Sequence, residues 1–358
     1  MSLHEPRQAS AEAILQSRNL DAILFTGLEN IRYLCGCRGS DVALGLTPRE
    51  SFFLCDSRYW TQAEEEVKTS RIVHYRKKTD GIASLLLEFD LKHIGFESGA
   101  LTYSFYQSLK EKLGDHGELI PLDEDIKPLR IVKDAHELSL MKTAIEISTK
   151  AFRHILDLLR EGAVESEIAF EMECFMKKKG SDAVAFDTII ASGKRSALPH
   201  GKASPKRIEK GDLILIDFGC RFQGYHSDET CTAVLGQPSP EQKKTHQVVK
   251  DAHDKAIEGV RPGITISEVD GIARNYIRDC GFGDYFGHGL GHGVGLAVHE
   301  EPGVNGENKG VVEEGMVFTI EPGIYIPDRG GVRLEDMVLV THDGAEVLTS
   351  LPKELIVL

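Results

Sequence analysis

The 358 residues contain no C-x-x-C pair, no apolar run approaching a membrane span, and no short repeat or low-complexity tract. Seven cysteines, at 35, 37, 55, 174, 220, 231 and 280, are scattered and odd in number, and Cys35 and Cys37 sit one residue too close for that motif. This argues against a secreted disulfide framework and for reduced thiols. The opening "MSLHEPRQASAEAILQSRNL" lacks the apolar segment of a signal peptide, so a cytoplasmic location is expected. Positive charge is short as well: 42 Lys and Arg against 56 Asp and Glu leave a net −14. Such a surface repels nucleic acid and anionic membrane, and neither is expected as a partner.

What is present suggests two domains, since the chain is too long for one of average size. Over the first 120 residues, "DAILFTG" (21–27), "SFFLCD" (51–56) and "HIGFES" (93–98) read as buried strands. Helical patterns lie between and after them at 57–70 and at "LTYSFYQSLKEKLG", with Gly114 past its end. This alternation predicts a small α/β domain over 1–124, with no glycine-rich phosphate loop. The stretch 120–137 has the proline and charge content of a linker. Beyond it, Leu138, Met141, Ile145, Ser148, Phe152, Ile155 and Leu159 step by three or four and predict a long amphipathic helix. Further helices are expected from Ser166 to Gly180, over 240–259 with Pro240 in the first turn, and over 267–280 with Ser267 as cap. Strands alternate with these helices, so an α+β domain is expected over 133–358.

The anomaly in that second region is acid placed inside apolar strands. "LILIDFG" ends four aliphatic residues on Asp217, and "GYHSDETCTAV" offers Asp228 on the return strand of a hairpin turning at "CRFQG". "VFTIEPG" sets Glu321 behind another apolar run, and "GVRLEDMVLV" sets Glu335 in the middle of a fourth. Taken singly, each has an ordinary reading as a strand-end or paired residue; Glu335 could pair with Arg333. Four such acids together need cations that the neighbouring sequence does not supply. Two divalent ions would balance them. One neutral imidazole added to the oxygens suits manganese, cobalt, iron or zinc, without thiolate. A hydroxide held between two such ions is a strong nucleophile at neutral pH, which points to hydrolysis. The imidazole has candidates in "FGHGLGHGVGLAVHE" (286–300), where His288, His292 and His299 stand among five glycines.

The set "IDFG", "SDET", "GHGVGL-x-VHE", "IEPGIY" and "RLED" resembles the pita-bread metallopeptidases, the superfamily of methionine aminopeptidase and creatinase. The resemblance covers about 130–358, and residues 1–120 resemble the creatinase-type N-terminal domain of its proline-specific branch, aminopeptidase P and prolidase. It implies a pita-bread catalytic domain after a creatinase-type domain, and two divalent ions, manganese first, with cobalt, zinc or iron as alternatives. By the same resemblance Asp217 chelates one ion, Asp228 and Glu335 bridge, and His292 and Glu321 complete the second. His200 and His299 take catalytic positions beside the scissile peptide. Glu321 would also act as base, and Tyr325, Arg333 and His288 would line the substrate pocket; Arg333 could equally be an ordinary partner for nearby acids. The expected activity is removal of the residue before proline from peptide N-termini, on substrates with proline in second position. The alternative is a dipeptidase, although Gly303 stands where some prolidases carry an arginine. A metal-free binding module is the remote reading, and the family commonly forms homodimers.

Overall fold

The structure is a computed structural model that describes residues 3–358. It divides into two compact units, Met1–Arg130 and Ile131–Leu358. A short helix Asp123–Ile126 and a 3-10 turn Lys127–Arg130 carry the first unit past residue 124.

The first unit is built on six strands. Ala22–Phe25 lies near the centre, flanked by antiparallel Val42–Leu46 and parallel His93–Phe96. Ser51–Cys55 and Arg71–His74 extend one side, and Glu118–Pro121 closes the other. The three strands from Ala22 to Cys55 are buried along their whole length, as their unbroken apolar runs require. The helix expected over 57–70 is confined to Trp60–Glu66, because the chain must leave it to enter the edge strand at Arg71. Val42–Leu46 carries no alternation and includes Gly45, so its sequence gave little strand signal.

In the second unit, helices Ala135–Ile155 and Glu165–Lys178 form one pair, and Pro240–Gly259 and Ile266–Asp279 the other. Two start points differ from expectation. The helix expected at Ser166 begins at Glu165, whose carboxylate turns inward to Ser192 and Ser204. Thr265, not Ser267, caps the last helix, in a reciprocal box with Glu268.

Each helix pair covers a sheet. Phe152, Ile155, Met172 and Met176 pack on Ile214, Ile216 and Phe218, with Phe152 and Phe218 stacked at 5.4 Å. Val249, Ala252, Val269 and Ala273 pack on Phe318, Ile320 and Val338. Because strand side chains alternate, the face opposite Ile214, Ile216 and Phe218 belongs to Leu215 and Asp217. That period aims the predicted acids away from the helices.

Thr265→Ala removes the side-chain half of its capping box, leaving its own N–H on Glu268, and is expected to lower unfolding free energy by about 1 kcal/mol in chemical denaturation; Ser267→Ala should leave it nearly unchanged.

Candidate metal centre

Strand Leu213–Phe218 pairs antiparallel with Glu229–Val234, setting Asp217 opposite Thr230. Between them the chain makes an excursion that turns at Gln223 and Gly224, both at positive φ (45° and 83°). This is the expected hairpin with a tight two-residue turn. Asp228 lies at the mouth of the return strand.

Glu321 and Glu335 come from a single device. Val317–Ile320 pairs with Asp336–Val340, while Gly323–Ile326 pairs with Gly330–Arg333 in a separate two-stranded sheet. The long hairpin therefore breaks at Glu321–Pro322 on one arm and Leu334–Glu335 on the other. Pro322 has no N–H for the ladder, and the break leaves both glutamates at one bend. Glu335 is thus not in mid-strand as expected but in the gap between two strands, its N–H on the Thr230 carbonyl (3.1 Å).

His292 stands on the short strand Gly291–Gly293, tied to this bend by His292 N–H on Thr319 Oγ1 (3.1 Å) and Glu321 N–H on the Leu290 carbonyl (2.8 Å). The strands touch closely here. A Cβ at Gly291 would meet the Thr319 carbonyl oxygen at 1.9 Å, and one at Gly293 the Glu301 oxygen at 2.2 Å. Close backbone approach is what requires glycine at 291 and 293.

Asp217, Asp228, His292, Glu321 and Glu335 line one cavity of 440 Å³ together with His200, His288, His299 and Arg333. Candidate ligand atoms of Asp228, His292 and Glu335 lie within 4.8 Å of one another. His292 Nε2 is 3.6 Å from Asp228 Oδ2 and 3.5 Å from Glu321 Oε1. Its Nδ1 lies 3.1 Å from the Gly293 carbonyl, so Nδ1 donates and the Nε2 lone pair faces the acids. Burial keeps that ring neutral, at about 4.

The arrangement has too much negative potential for its own cations. Burial first, then the charges of Glu335, Asp217 and Glu321, push Asp228 well above the usual carboxylate range. Burial and the neighbouring acids do the same to Glu335. Glu321 rises to about 8, chiefly through burial, with Arg333 opposing. Asp217 Oδ1 is buried without a hydrogen-bond partner among the described residues. Carboxylates converging on an imidazole lone pair, all acceptors at non-bonding separations, fit divalent cations and little else.

Arg333 does not reach Glu335, whose Oε2 instead accepts from Thr230 Oγ1 at 2.6 Å. It pairs with Asp217 and donates to Tyr325 OH (2.8 Å), the Pro199 carbonyl (3.1 Å) and Thr230 Oγ1 (3.2 Å). Tyr325 in turn contacts His288 Nε2 at 3.1 Å, and His288 Nδ1 donates to the Gly289 carbonyl. His288 is thereby fixed to the wall, away from the acids. His200 and His299 are exposed at the cavity mouth, and His299 packs edge-on against His292 with ring centres 4.2 Å apart.

Several supporting residues escaped sequence reasoning. Arg274, paired with Asp270, holds the carbonyls of Phe286 (3.2 Å) and His288 (2.6 Å), while Asp270 accepts the Leu290 N–H (3.1 Å). This clamp shapes the loop leading to His292. Behind the centre, Glu229 and Asp336, each adjacent to a predicted ligand, point to the opposite faces of their strands. Lys353 Nζ sits 2.6 Å from Glu229 and 2.9 Å from Asp336, and His253 Nε2 3.2 Å from Asp336. Burial opposes the lysine's charge, but these carboxylates hold it well above its usual range. The doublets "DE" at 228–229 and "ED" at 335–336 were the available signal.

A family model described as metallopeptidase family M24 matches residues 139–342, and one described as the creatinase/prolidase N-terminal domain matches residues 7–132. The chain is 43% identical to a Xaa-Pro dipeptidase of Pyrococcus horikoshii over 350 residues, covering 96% of each. A solved Xaa-Pro dipeptidase from Bacillus anthracis superposes with a TM-score of 0.95 at 40% identity, covering 99% of both chains. An X-Pro aminopeptidase from Thermotoga maritima gives 0.90 at 37%, covering 98% of this chain and 99% of that one. The chain belongs to metallopeptidase family M24, with a creatinase-type N-terminal domain before a pita-bread domain. It is a peptidase of metal-dependent hydrolytic type. No helix among the described residues is long and apolar enough to cross a membrane.

Two measurements test this electrostatic picture. Carboxyl groups raised in the fold bind protons between about pH 4.3, the ordinary value, and about pH 8 for Glu321. Their contribution to metal-free stability is full below that window and is lost as pH rises through it. Metal binding at pH 7 should therefore release protons, seen as calorimetric heats that change with buffer ionisation enthalpy; identical heats in all buffers would contradict it. Separately, Lys353→Met leaves Glu229 and Asp336 buried without their lysine and should cost about 3–5 kcal/mol in denaturant unfolding. Adding Glu229→Gln should recover part of that loss.

Proposed function

We propose that the chain is a Xaa-Pro dipeptidase that binds two divalent ions, manganese first among the candidates. Asp217, Asp228, His292, Glu321 and Glu335 would hold the ions. The carrying observation is the convergence of four carboxylates and one neutral imidazole lone pair on a single cavity. The near full-length likeness to proteins named Xaa-Pro dipeptidase supports the dipeptide substrate over the expected N-terminal release from longer peptides. A non-catalytic module would lack part of this donor set, and here all five residues are present.

Bound there, divalent ions supply a Lewis acid for the scissile carbonyl and a water acidified enough to attack it. The protein's own groups do the rest. Glu321 takes the water's proton and passes it to the departing proline nitrogen. A ring N–H of neutral His299 donates to the oxygen that gains charge, and His200 does so from the other side of the cavity mouth. Arg333 orients Asp217 and Tyr325, and Tyr325 fixes His288 as the wall against the substrate side chain. Proline's ring nitrogen, the nitrogen of the scissile bond, carries no hydrogen, so none of these contacts requires one from it.

The test is release of proline from Xaa-Pro dipeptides against cleavage of Xaa-Pro-Yaa peptides, with added manganese or cobalt. Metal-dependent turnover of dipeptides at least tenfold above tripeptides is expected; the reverse ratio returns the aminopeptidase reading, and no turnover of either removes both. His292→Ala and Asp228→Ala should abolish activity and lower bound metal. His299→Ala should cut kcat by about 10²-fold, within the range for one transition-state donor, with metal content retained.

A further inference from the structure

A dipeptide ends in a carboxylate just beyond the scissile bond, where a longer peptide has an amide. A site that selects the dipeptide needs a cation there, in a cavity otherwise built from acids. Among the described residues lining the cavity, Arg333 and Lys202 are the lysine and arginine candidates. Arg333 is buried and already committed to Asp217, Thr230, Tyr325 and the Pro199 carbonyl. His288 is tied to Tyr325 and the Gly289 carbonyl, and the mechanism proposed above already gives His200 and His299 to the scissile carbonyl.

Lys202 differs on each count. Its side chain is 74% exposed, and it pairs with Asp187, 69% exposed on the same lining. An ion pair so exposed is worth little and exchanges readily. The backbone beneath it is fixed. Lys202 N–H donates to the His200 carbonyl (3.0 Å), and its own carbonyl accepts from Arg195 Nη2 (2.6 Å). Arg195 is held in turn by the fully buried Glu165 (3.1 Å), which also gathers Ser192 and Ser204. An exposed charged tip therefore stands on a pinned backbone, two residues from His200.

We propose that Lys202 is the specificity-determining cation that takes the free C-terminal carboxylate of the substrate, exchanging Asp187 for it on binding. The proposal rests on the dipeptidase reading above and adds the group that recognises the end of the dipeptide.

Steady-state kinetics of the metal-loaded protein on Ala-Pro and on Ala-Pro-amide test it, with Lys202→Arg, Lys202→Met and Lys202→Glu. The exposed position leaves the core untouched by these changes. Wild type should favour the acid. Lys202→Met should raise KM for the acid about tenfold, the equivalent of one charge-assisted hydrogen bond, with a smaller change in kcat. Lys202→Glu should raise it further, and Lys202→Arg should keep the preference. Added salt should raise the acid's KM in wild type and not in Lys202→Met. An unchanged preference in Lys202→Met, or an equal loss on acid and amide, overturns the proposal. A wild type that cleaves the amide as well as the acid overturns the dipeptidase reading itself, and this subsite with it.

Discussion

Four carboxylates, Asp217, Asp228, Glu321 and Glu335, share a cavity with one guanidinium, and like charges so gathered do not all ionise without further cations. The protein meets this in two layers. On the cavity side Arg333 pairs closely with Asp217 and reaches Glu321 only at 4.0 Å, and the remaining charge is left for divalent ions. On the reverse side a second acidic pair, Glu229 and Asp336, is neutralised internally by Lys353 and His253. The two layers are one strand thickness apart because adjacent residues point to opposite faces. The inner acids stay available to metal because the outer acids have their own cations.

Holding such a site requires that its walls not relax. Asp217 stands on, and Asp228 immediately before, two strands paired in register from Leu213–Phe218 to Glu229–Val234. Glu321 and Glu335 are set by one break in one hairpin, so moving either moves the other. His292 is carried on a strand that approaches Thr319 so closely that no side chain fits at Gly291. The loop before it is gripped by Asp270 and Arg274, which use three backbone groups across Phe286–Leu290. Each proposed ligand is thereby positioned by backbone, which leaves little freedom for the acids to separate.

Much of this was legible in the sequence, for identifiable reasons. Acid inside an apolar strand is costly enough to stand out, so all four carboxylates could be read as a group. The long helix after residue 135 and its neighbours announced themselves by period. The inner half of each acidic doublet was noticed and the outer half was not, since pairing Glu229 and Asp336 with Lys353 takes a contact across more than a hundred residues in one case. The same holds for Glu165, which falls outside a helix read from Ser166 until that helix is seen to begin one residue early. The break at Glu321–Pro322 and Leu334–Glu335 was hidden because both arms look like continuous strands; Pro322 was the one signal.

Selectivity between short and longer peptides has to be sought elsewhere than in the deep site. Solved structures named for dipeptidase and for aminopeptidase activity share this fold almost residue for residue, so neither the fold nor the hairpin scaffold separates the two. Arg333 is committed to Asp217, Thr230, Tyr325 and the Pro199 carbonyl and has no bond to spare for the far end of a substrate. The mouth is built differently: His200, Lys202 and Asp187 sit exposed there, and the loop that carries His200 and Lys202 is pinned from below by Arg195 and Glu165. A rigid loop with exchangeable charge at its tip can change its preferred peptide length by a single side chain without disturbing the ligands. The acids at the floor are fixed by strands, His200 and His299 reach the scissile bond from the mouth, and the proposed choice of substrate end falls to an exposed charge on that same rim.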